Sequence, residues 1–410
     1  MSEFDQRRNE GLNGPQRRKR SLFRIAAVSL GFLLSLIVAE AGLRILEKTR
    51  PDDLAVEEKR IDDPQLGNRM APYALGHDAN GFRNESVPQH ADIVALGDSQ
   101  TWGNNVERPN AWPQLLSGLS NLRVYNMGLS GYGPVQYWVL TEQALKLSPK
   151  VIVVGLYLGN DLYEAYELVY TNSHYVQLRA RNAPVELLHS DLRDRAQMFW
   201  DEEKGFSNRF RGSRPSGWSH WLAQHLAIGR LTNRTGLWRT STDVDFESDK
   251  AWALAYPEHG SVYEGGKIRT IFTPAYRFLG VDLDDPHIAE GLRITEDLLV
   301  RIDALANARG CKVMVLLIPT KESVYADALK LQFKLNDTHI KLVAMERRVR
   351  LALEAVCIKN NITCVNALPS LSGAIERREP IYPSSTESHP DAEGYFVLAS
   401  LVNDELAKIK

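Results

Sequence analysis

The sequence predicts an α/β fold with a mainly parallel five-stranded sheet, because two kinds of segment alternate along the chain. Short β-branched and apolar runs, typical of buried strands, occur at 92–96, 123–126, 151–157, 312–318 and 362–366. Helical patterns occur near 111–120, 134–147, 290–309, 338–359 and 391–408. Such alternation predicts helices on both faces of the sheet, which gives three layers in the order α/β/α.

Composition excludes several classes of protein. The 410 residues are 44% hydrophobic and 24% charged, which is typical of a globular chain rather than a disordered one. The formal net charge of −2 provides no field that would concentrate nucleic acid, so nucleic acid is not an expected partner. The three cysteines lack zinc-like spacing, and buried thiols are expected, with Cys357 and Cys364 as the one pair to test for a disulfide.

The N-terminus has the pattern of a membrane anchor. Residues 1–21 form a basic tail, and an apolar run within 22–46 follows it. Glu40 and Arg44 are four residues apart and can pair on a helix, which lowers the cost of placing them in a membrane. A basic flank stays cytoplasmic, so the rest of the chain is expected on the extracytoplasmic side of the inner membrane. A cleaved signal peptide, with a site at 39–41, is the alternative that stays open.

Beyond the anchor, residues 47–90 are polar and predict a linker, and 91–410 predict the folded domain. An insertion at about 163–287 interrupts its strand and helix pattern. It predicts a lid or substrate platform, or a small core of its own. Its aromatic residues are Tyr163, Tyr166, Tyr170, Tyr175, Trp200, Trp218, Trp221, Trp238 and Trp252.

Ser99 occupies a turn that leaves a predicted strand. The segment Gly97-Asp98-Ser99-Gln100-Thr101 follows the apolar run 93–96, so the serine is expected at the carboxyl end of that strand. A serine hydroxyl is a weak nucleophile until a base takes its proton. His389, within Glu387-Ser388-His389-Pro390, is the candidate base.

Two further blocks follow strand runs: 126–133, which contains Gly128 and Gly131, and 159–161, which contains Asn160. With the serine and histidine segments, these blocks resemble the SGNH (GDSL-type) hydrolase family over roughly residues 90–161 and 288–408. The resemblance implies a flavodoxin-like strand order, with the blocks converging at the carboxyl edge of the sheet.

The resemblance also implies roles for individual residues. Ser99 is the expected nucleophile and His389 the base, while the Ser99 and Gly131 N–H groups and the Asn160 amide form the expected oxyanion hole. The commonest family pattern has an aspartate three residues before the histidine, where this chain has Thr386. Glu387, two residues before, restores a carboxylate and is the preferred third catalytic residue.

These features predict an extracytoplasmic serine esterase that forms an acyl-enzyme on an ester-bearing small molecule or acylated glycan and needs no metal or organic cofactor. Deacetylation of a carbohydrate is one form of this reaction. A polysaccharide O-acyltransferase is the first alternative. A catalytically silent carbohydrate-binding assembly protein is the second, prompted by Thr386. Lys321 follows the strand run 312–318 and is expected to be a solvated loop lysine rather than a substrate contact.

Overall fold

The structure, a computed structural model, describes residues 60–74, 76–181, 185–188, 190–210, 242–329 and 335–409, with scattered helical positions between 24 and 44. The chain groups into two units, Met1–Val56 with Pro215–Arg239, and Glu57–Arg214 with Thr240–Lys410. The second unit contains the sheet and every candidate site residue.

The central sheet has five parallel strands. The described strands are β1 (Arg60–Asp63), β2 (Gly67–Met70), β3 (Ile93–Gly97), β4 (Val124–Asn126), β5 (Val151–Tyr157), β6 (Ser261–Gly265), β7 (Ile268–Phe272), β8 (Lys312–Ile318) and β9 (Thr363–Asn366). The sheet order is β4-β3-β5-β8-β9, while β1-β2 and β6-β7 are separate antiparallel hairpins. Counted within the central sheet, this is the flavodoxin-like order 2-1-3-4-5 that the resemblance implies.

Helices cover both faces of this sheet. They are α1 (Ser99–Trp102), α2 (Trp112–Ser120), α3 (Pro134–Leu145), α4 (Asp161–Thr171), α5 (Leu192–Phe210), α6 (Thr242–Ala255), α7 (Pro274–Phe278), α8 (Pro286–Asn307), α9 (Lys321–Ala328), α10 (Asp337–Lys359), α11 (Leu368–Glu376) and α12 (Ala392–Ile409). The five sheet strands and five of these helices match the predicted segments closely, because each combines a clear periodicity with recognisable ends.

Alternate residues of each strand enter two different cores. Val94, Ile152 and Val315 face a core that contains side chains of α3, α8 and α10. Ala95 and Val153 face the opposite core, with side chains of α2, α9, α11 and α12. Because strand side chains alternate between faces, burial on both sides requires the nearly continuous apolar runs that the sequence contains. The three-layer architecture is therefore confirmed.

The predicted linker is wrong over its second half, because residues 60–90 pack onto the domain. Met70 and Phe82 belong to one of the two cores. Tyr125 Oη donates to Asp78 Oδ2 at 2.7 Å, and the Asn84 side chain bonds both the N–H and the carbonyl of Asn126. A few apolar anchors and buried polar contacts hold this segment, and neither produces a periodic pattern in the sequence.

The insertion contributes both to a small core and to the surface above the sheet edge. Phe246, Trp252 and Ile271 form a local apolar cluster across α6 and β7, and Tyr166 and Tyr175 are also buried. Trp200 on α5, by contrast, remains 40% exposed. The aromatic residues Trp218, Trp221 and Trp238 lie outside the described residues.

The predicted anchor is described at scattered positions between residues 24 and 44, all of them helical. At the positions that are described, Arg44 Nε donates to Glu40 Oε1 at 2.7 Å, the pairing expected for residues four apart on a helix. Within the described part of the chain, no helix has the length and hydropathy needed to cross a bilayer.

Candidate active site

Ser99 is the first residue of α1, directly beyond the end of β3. Asp98 caps this helix, since the Gln100 N–H donates to Asp98 Oδ1 at 2.8 Å. A Cβ at position 97 would collide with the Thr101 side chain and crowd the Gly155 carbonyl, so only glycine permits this approach. The turn thus fixes Ser99 through immediate neighbours in the chain.

Ser99, His389 and Glu387 form one hydrogen-bonded chain, although Ser99 and His389 are 290 positions apart. The Ser99 Oγ lies 2.8 Å from His389 Nε2, and Glu387 Oε1 lies 2.5 Å from His389 Nδ1. Glu387 Oε1 also accepts from the His389 N–H at 3.0 Å, which closes a tight turn around the carboxylate. A carboxylate on Nδ1 leaves Nε2 as the acceptor that faces the serine.

Electrostatics keep Glu387 ionised. Burial alone would raise the pKa of Glu387, but the hydrogen bond and charge of His389 outweigh it and lower that pKa to about 2. An ionised carboxylate can stabilise the imidazolium that forms when His389 takes the serine proton.

Asp98 is a second carboxyl beside the nucleophile, and it differs from Glu387. Its Oδ2 lies 3.2 Å from Ser99 Oγ, and the side chain is fully buried. Burial raises the pKa of Asp98 to about 6, since the hydrogen bonds it accepts and the His389 charge compensate only partly. Its main structural contribution is to hold the turn by capping α1.

Thr386 does not contact the imidazole and points into the insertion instead. Its Oγ1 donates to Glu203 Oε1 at 2.7 Å, and its N–H donates to Asp249 Oδ2 at 3.0 Å. The structure thus places Glu387, not Thr386, on His389. It also shows that α5 and α6 of the insertion hold the loop that carries the histidine.

Lys321 is buried, so the expectation of a solvated lysine is wrong. Its Nζ donates to the carbonyls of Ile271, Ser385 and Glu387 at 2.8–2.9 Å and to Thr270 Oγ1 at 3.1 Å. Burial lowers the pKa of Lys321 to about 8, although the charges of Glu322 and Glu387 oppose that shift. Lys321 therefore anchors the catalytic loop from behind. The available sequence signal was its position directly after a buried strand.

Of the three residues predicted to form the oxyanion hole, two line the cleft and one does not. Ser99 and Asn160 both line the cleft, and Asn160 precedes α4 without capping it through its side chain. The Asn160 Oδ1 is buried and has no hydrogen-bond partner among the described residues. Gly131 has φ +81°, which favours glycine, but it is exposed and is not among the residues that line the cleft. Its place in the oxyanion hole stays a prediction.

A cleft of about 800 Å³ opens in front of this site. The insertion supplies most of its outer wall. Trp200 and Tyr276 meet edge to face with ring centroids 5.5 Å apart, and Phe199 packs against His259. The cleft is also lined by four acidic residues, namely Glu164, Glu203, Asp249 and Glu387. Such a wall combines flat apolar surfaces with hydrogen-bonding groups.

The described residues contain no group of three or more His, Cys, Asp or Glu side chains that could hold a metal ion. The three cysteines are free thiols, so Cys357 and Cys364 form no disulfide.

The Ser99–His389–Glu387 chain has the geometry that nucleophilic catalysis by a serine requires. No family model and no curated protein matches the chain. Solved structures similar to it include a member of the lipolytic protein G-D-S-L family from Veillonella parvula, with 12% identity, a TM-score of 0.34, and coverage of 76% of this chain and 96% of that one.

Two further similar structures belong to a GDSL-like lipase from Bacteroides thetaiotaomicron and a catalytic mutant of an acetylxylan esterase from Geobacillus stearothermophilus. The lipase has 14% identity, a TM-score of 0.31, and coverage of 79% and 93% of the two chains. The esterase has 10% identity, a TM-score of 0.37, and coverage of 78% and 95%.

Proposed function

We propose that this chain is a serine esterase that cleaves ester bonds through an acyl-enzyme on Ser99. The observation that carries the proposal is the 2.8 Å contact between Ser99 Oγ and His389 Nε2, with Glu387 on the other ring nitrogen. Nucleophile, base and acid within hydrogen-bond reach are the minimum that this chemistry requires.

The reaction follows from this geometry. His389 Nε2 takes the hydroxyl proton as Ser99 Oγ attacks the ester carbonyl carbon. The resulting oxyanion is held by the Ser99 N–H and the Asn160 amide. His389 then returns the proton to the departing alcohol, which leaves an acyl group on Ser99. Water, activated by the same imidazole, attacks that acyl group and releases the carboxylic acid.

The wall of the cleft supports a polyol or sugar as the alcohol part of the ester. Trp200 is partly exposed and meets Tyr276 at an angle, which provides flat apolar surface. The carboxyl groups of Glu203 and Asp249 can accept hydrogen bonds from hydroxyl groups. Deacetylation of a carbohydrate is the form of the reaction that this combination favours.

O-acyl transfer is the second candidate, and the size of the cleft favours it. About 800 Å³ exceeds what a small acyl group needs, so a sugar hydroxyl can occupy the place of the attacking water. The threonine at position 386 no longer favours the hypothesis of a catalytically silent binding protein, because Glu387 supplies the carboxylate beside the imidazole.

The test uses the full chain in detergent with 4-nitrophenyl acetate. Ser99→Ala is expected to lower kcat by at least about 10³-fold, because it removes the atom that carries the acyl group. Ser117→Ala is the matched control: Ser117 lies on α2, its hydroxyl donates to the Leu122 carbonyl beyond the helix, and the change is expected to leave the rate unchanged. A fluorophosphonate should label Ser99, as mapped by mass spectrometry. An inactive, unlabelled wild-type chain would contradict the proposal, whereas acyl transfer to added glycan that outpaces hydrolysis would favour the second candidate.

We further propose that residues 22–46 anchor the enzyme in the inner membrane with the catalytic domain outside the cytoplasm. The basic flank and apolar run of the sequence support this orientation. Carbonate extraction and protease accessibility of cell fractions provide the measurement. Recovery of the intact chain in the carbonate-soluble fraction would contradict the anchor.

A further inference from the structure

Arg277 on α7 brings a guanidinium to the wall of the catalytic cleft. Its Nη2 donates to Ser388 Oγ at 2.6 Å, and the group lies 4.7 Å from the ring of the adjacent Tyr276. Among the described residues, Ser388 is its one hydrogen-bond partner, and no carboxylate lies within ion-pair distance. Its Nε is buried without an acceptor. A guanidinium has five N–H donors, so most of this capacity is unused.

The nearby carboxylates are already engaged elsewhere. Glu322 accepts from the Thr273 N–H at 2.9 Å, and Glu387 accepts from His389. Burial opposes the charge on Arg277, but its surroundings, including these two carboxylates, keep the pKa of Arg277 above its ordinary value. The cleft therefore contains a permanent cation whose donors are not matched by the protein. A buried cation is normally paired with an acceptor.

Other acidic groups in the cleft do not repel an anion as strongly as their number implies. Burial raises the pKa of Glu164 to about 8, which makes it neutral at pH 7. Burial also raises the pKa of Glu203. Asp249 accepts the Thr386 N–H, which partly offsets its charge. The electrostatic balance beside Arg277 thus tolerates one additional negative charge.

We propose that Arg277 binds a carboxylate carried by the ester substrate, next to Ser99. This inference rests on the proposed esterase function and narrows its substrates to acylated acids. The planar guanidinium matches the two oxygens of a carboxylate, and one cation beside several carboxyl groups suits a monoanion better than a dianion.

The experiment compares 4-acetoxybenzoate with 4-acetoxybenzamide, which differ in charge but closely match in shape. The wild-type chain is expected to prefer the carboxylate by about 10-fold or more in kcat/KM, as for a hydrogen bond to a charged group. Arg277→Gln should remove this preference, mainly by raising KM for the benzoate ester. Ser388→Ala is the matched control: it removes the contact between the guanidinium and the loop but keeps the charge, so the preference should persist.

Several outcomes would overturn the inference. No preference in the wild type excludes a carboxylate subsite. If Arg277→Gln lowers kcat/KM equally for both esters, Arg277 positions the histidine loop or stabilises the oxyanion and does not bind the carboxylate. Calorimetry on the Ser99→Ala variant measures the affinity for 4-acetoxybenzoate in the absence of turnover. Adding Arg277→Gln to this variant should weaken that affinity. If neither ester is cleaved and Ser99 resists labelling, the esterase proposal fails, while calorimetry still decides the role of Arg277.

Discussion

The two sides of the active site are held in place by different means. Ser99 is fixed by neighbours in the chain, through the Asp98 cap and the close approach that Gly97 permits. The loop 385–389 has no regular secondary structure, and contacts from distant segments hold it. Lys321 is 64 positions from Ser385, and Glu203 is 183 positions from Thr386. The nucleophile is therefore a product of local structure, whereas the base depends on the complete tertiary fold.

This difference predicts where substitutions act. Changes on the nucleophile side alter one turn, whereas changes behind the histidine loop alter the position of the base even when they lie far from Ser99. Catalytic geometry needs tight positioning, so loosening the loop costs activity without removing any reacting group.

After Ser99 itself, the largest effect is expected at Glu387. Glu387→Gln removes the charge that stabilises the imidazolium and should lower kcat on 4-nitrophenyl acetate by about 10²–10⁴-fold. Thr386→Ala should lower it less than about 10-fold, because Thr386 has no contact with the imidazole and only its bonds to Glu203 and Asp249 are lost. Near-native rates for both variants would remove Glu387 from the catalytic chain.

Lys321→Met tests the side of the site that carries His389, which contacts from distant segments hold. The change leaves four acceptors around Nζ without their donor and deprives Glu322 and Glu387 of a nearby cation. We expect a loss of about 3–5 kcal/mol in the free energy of unfolding and a lower kcat in the protein that remains folded. Denaturant unfolding and active-site titration give the two quantities.

Lys150→Met is the control for this variant, because its exposed pair with Asp92 is worth less than about 1 kcal/mol. A less stable Lys321→Met chain with an unchanged kcat per active site would show that Lys321 supports the domain but does not position the loop.

Asp98→Asn tests the side of the site that carries Ser99, through the pH dependence of the free energy of unfolding. Since burial raises the pKa of Asp98 to about 6, against 3.8 for the exposed group, the native state binds more protons than the unfolded chain between these values. The stability that this group provides is therefore full below about pH 4 and is lost as the pH rises through 6. The asparagine variant should lack this decline, which amounts to at most about 3 kcal/mol. Parallel stability curves for the two proteins from pH 4 to 7 would contradict the shift.

The sequence predicted the parts of the molecule that depend on periodicity and short motifs. Strand β5 is an apolar run in the sequence and is entirely buried in the structure. The glycine and aspartate next to Ser99 indicate its turn. The sequence did not predict the burial of Lys321, because the acceptors that bury it converge from β7 and the histidine loop. Arg277 belongs to no motif, and only the folded chain brings it to the cleft.

The contacts of Thr386 couple the wall of the cleft to the histidine loop. Glu203 and Asp249 line the cleft, and they also hold the segment that carries His389. Replacing this insertion with one from another enzyme would thus exchange selectivity and remove a brace from the reaction centre at the same time. A successful chimera would have to retain both acidic side chains or supply equivalent acceptors for the threonine.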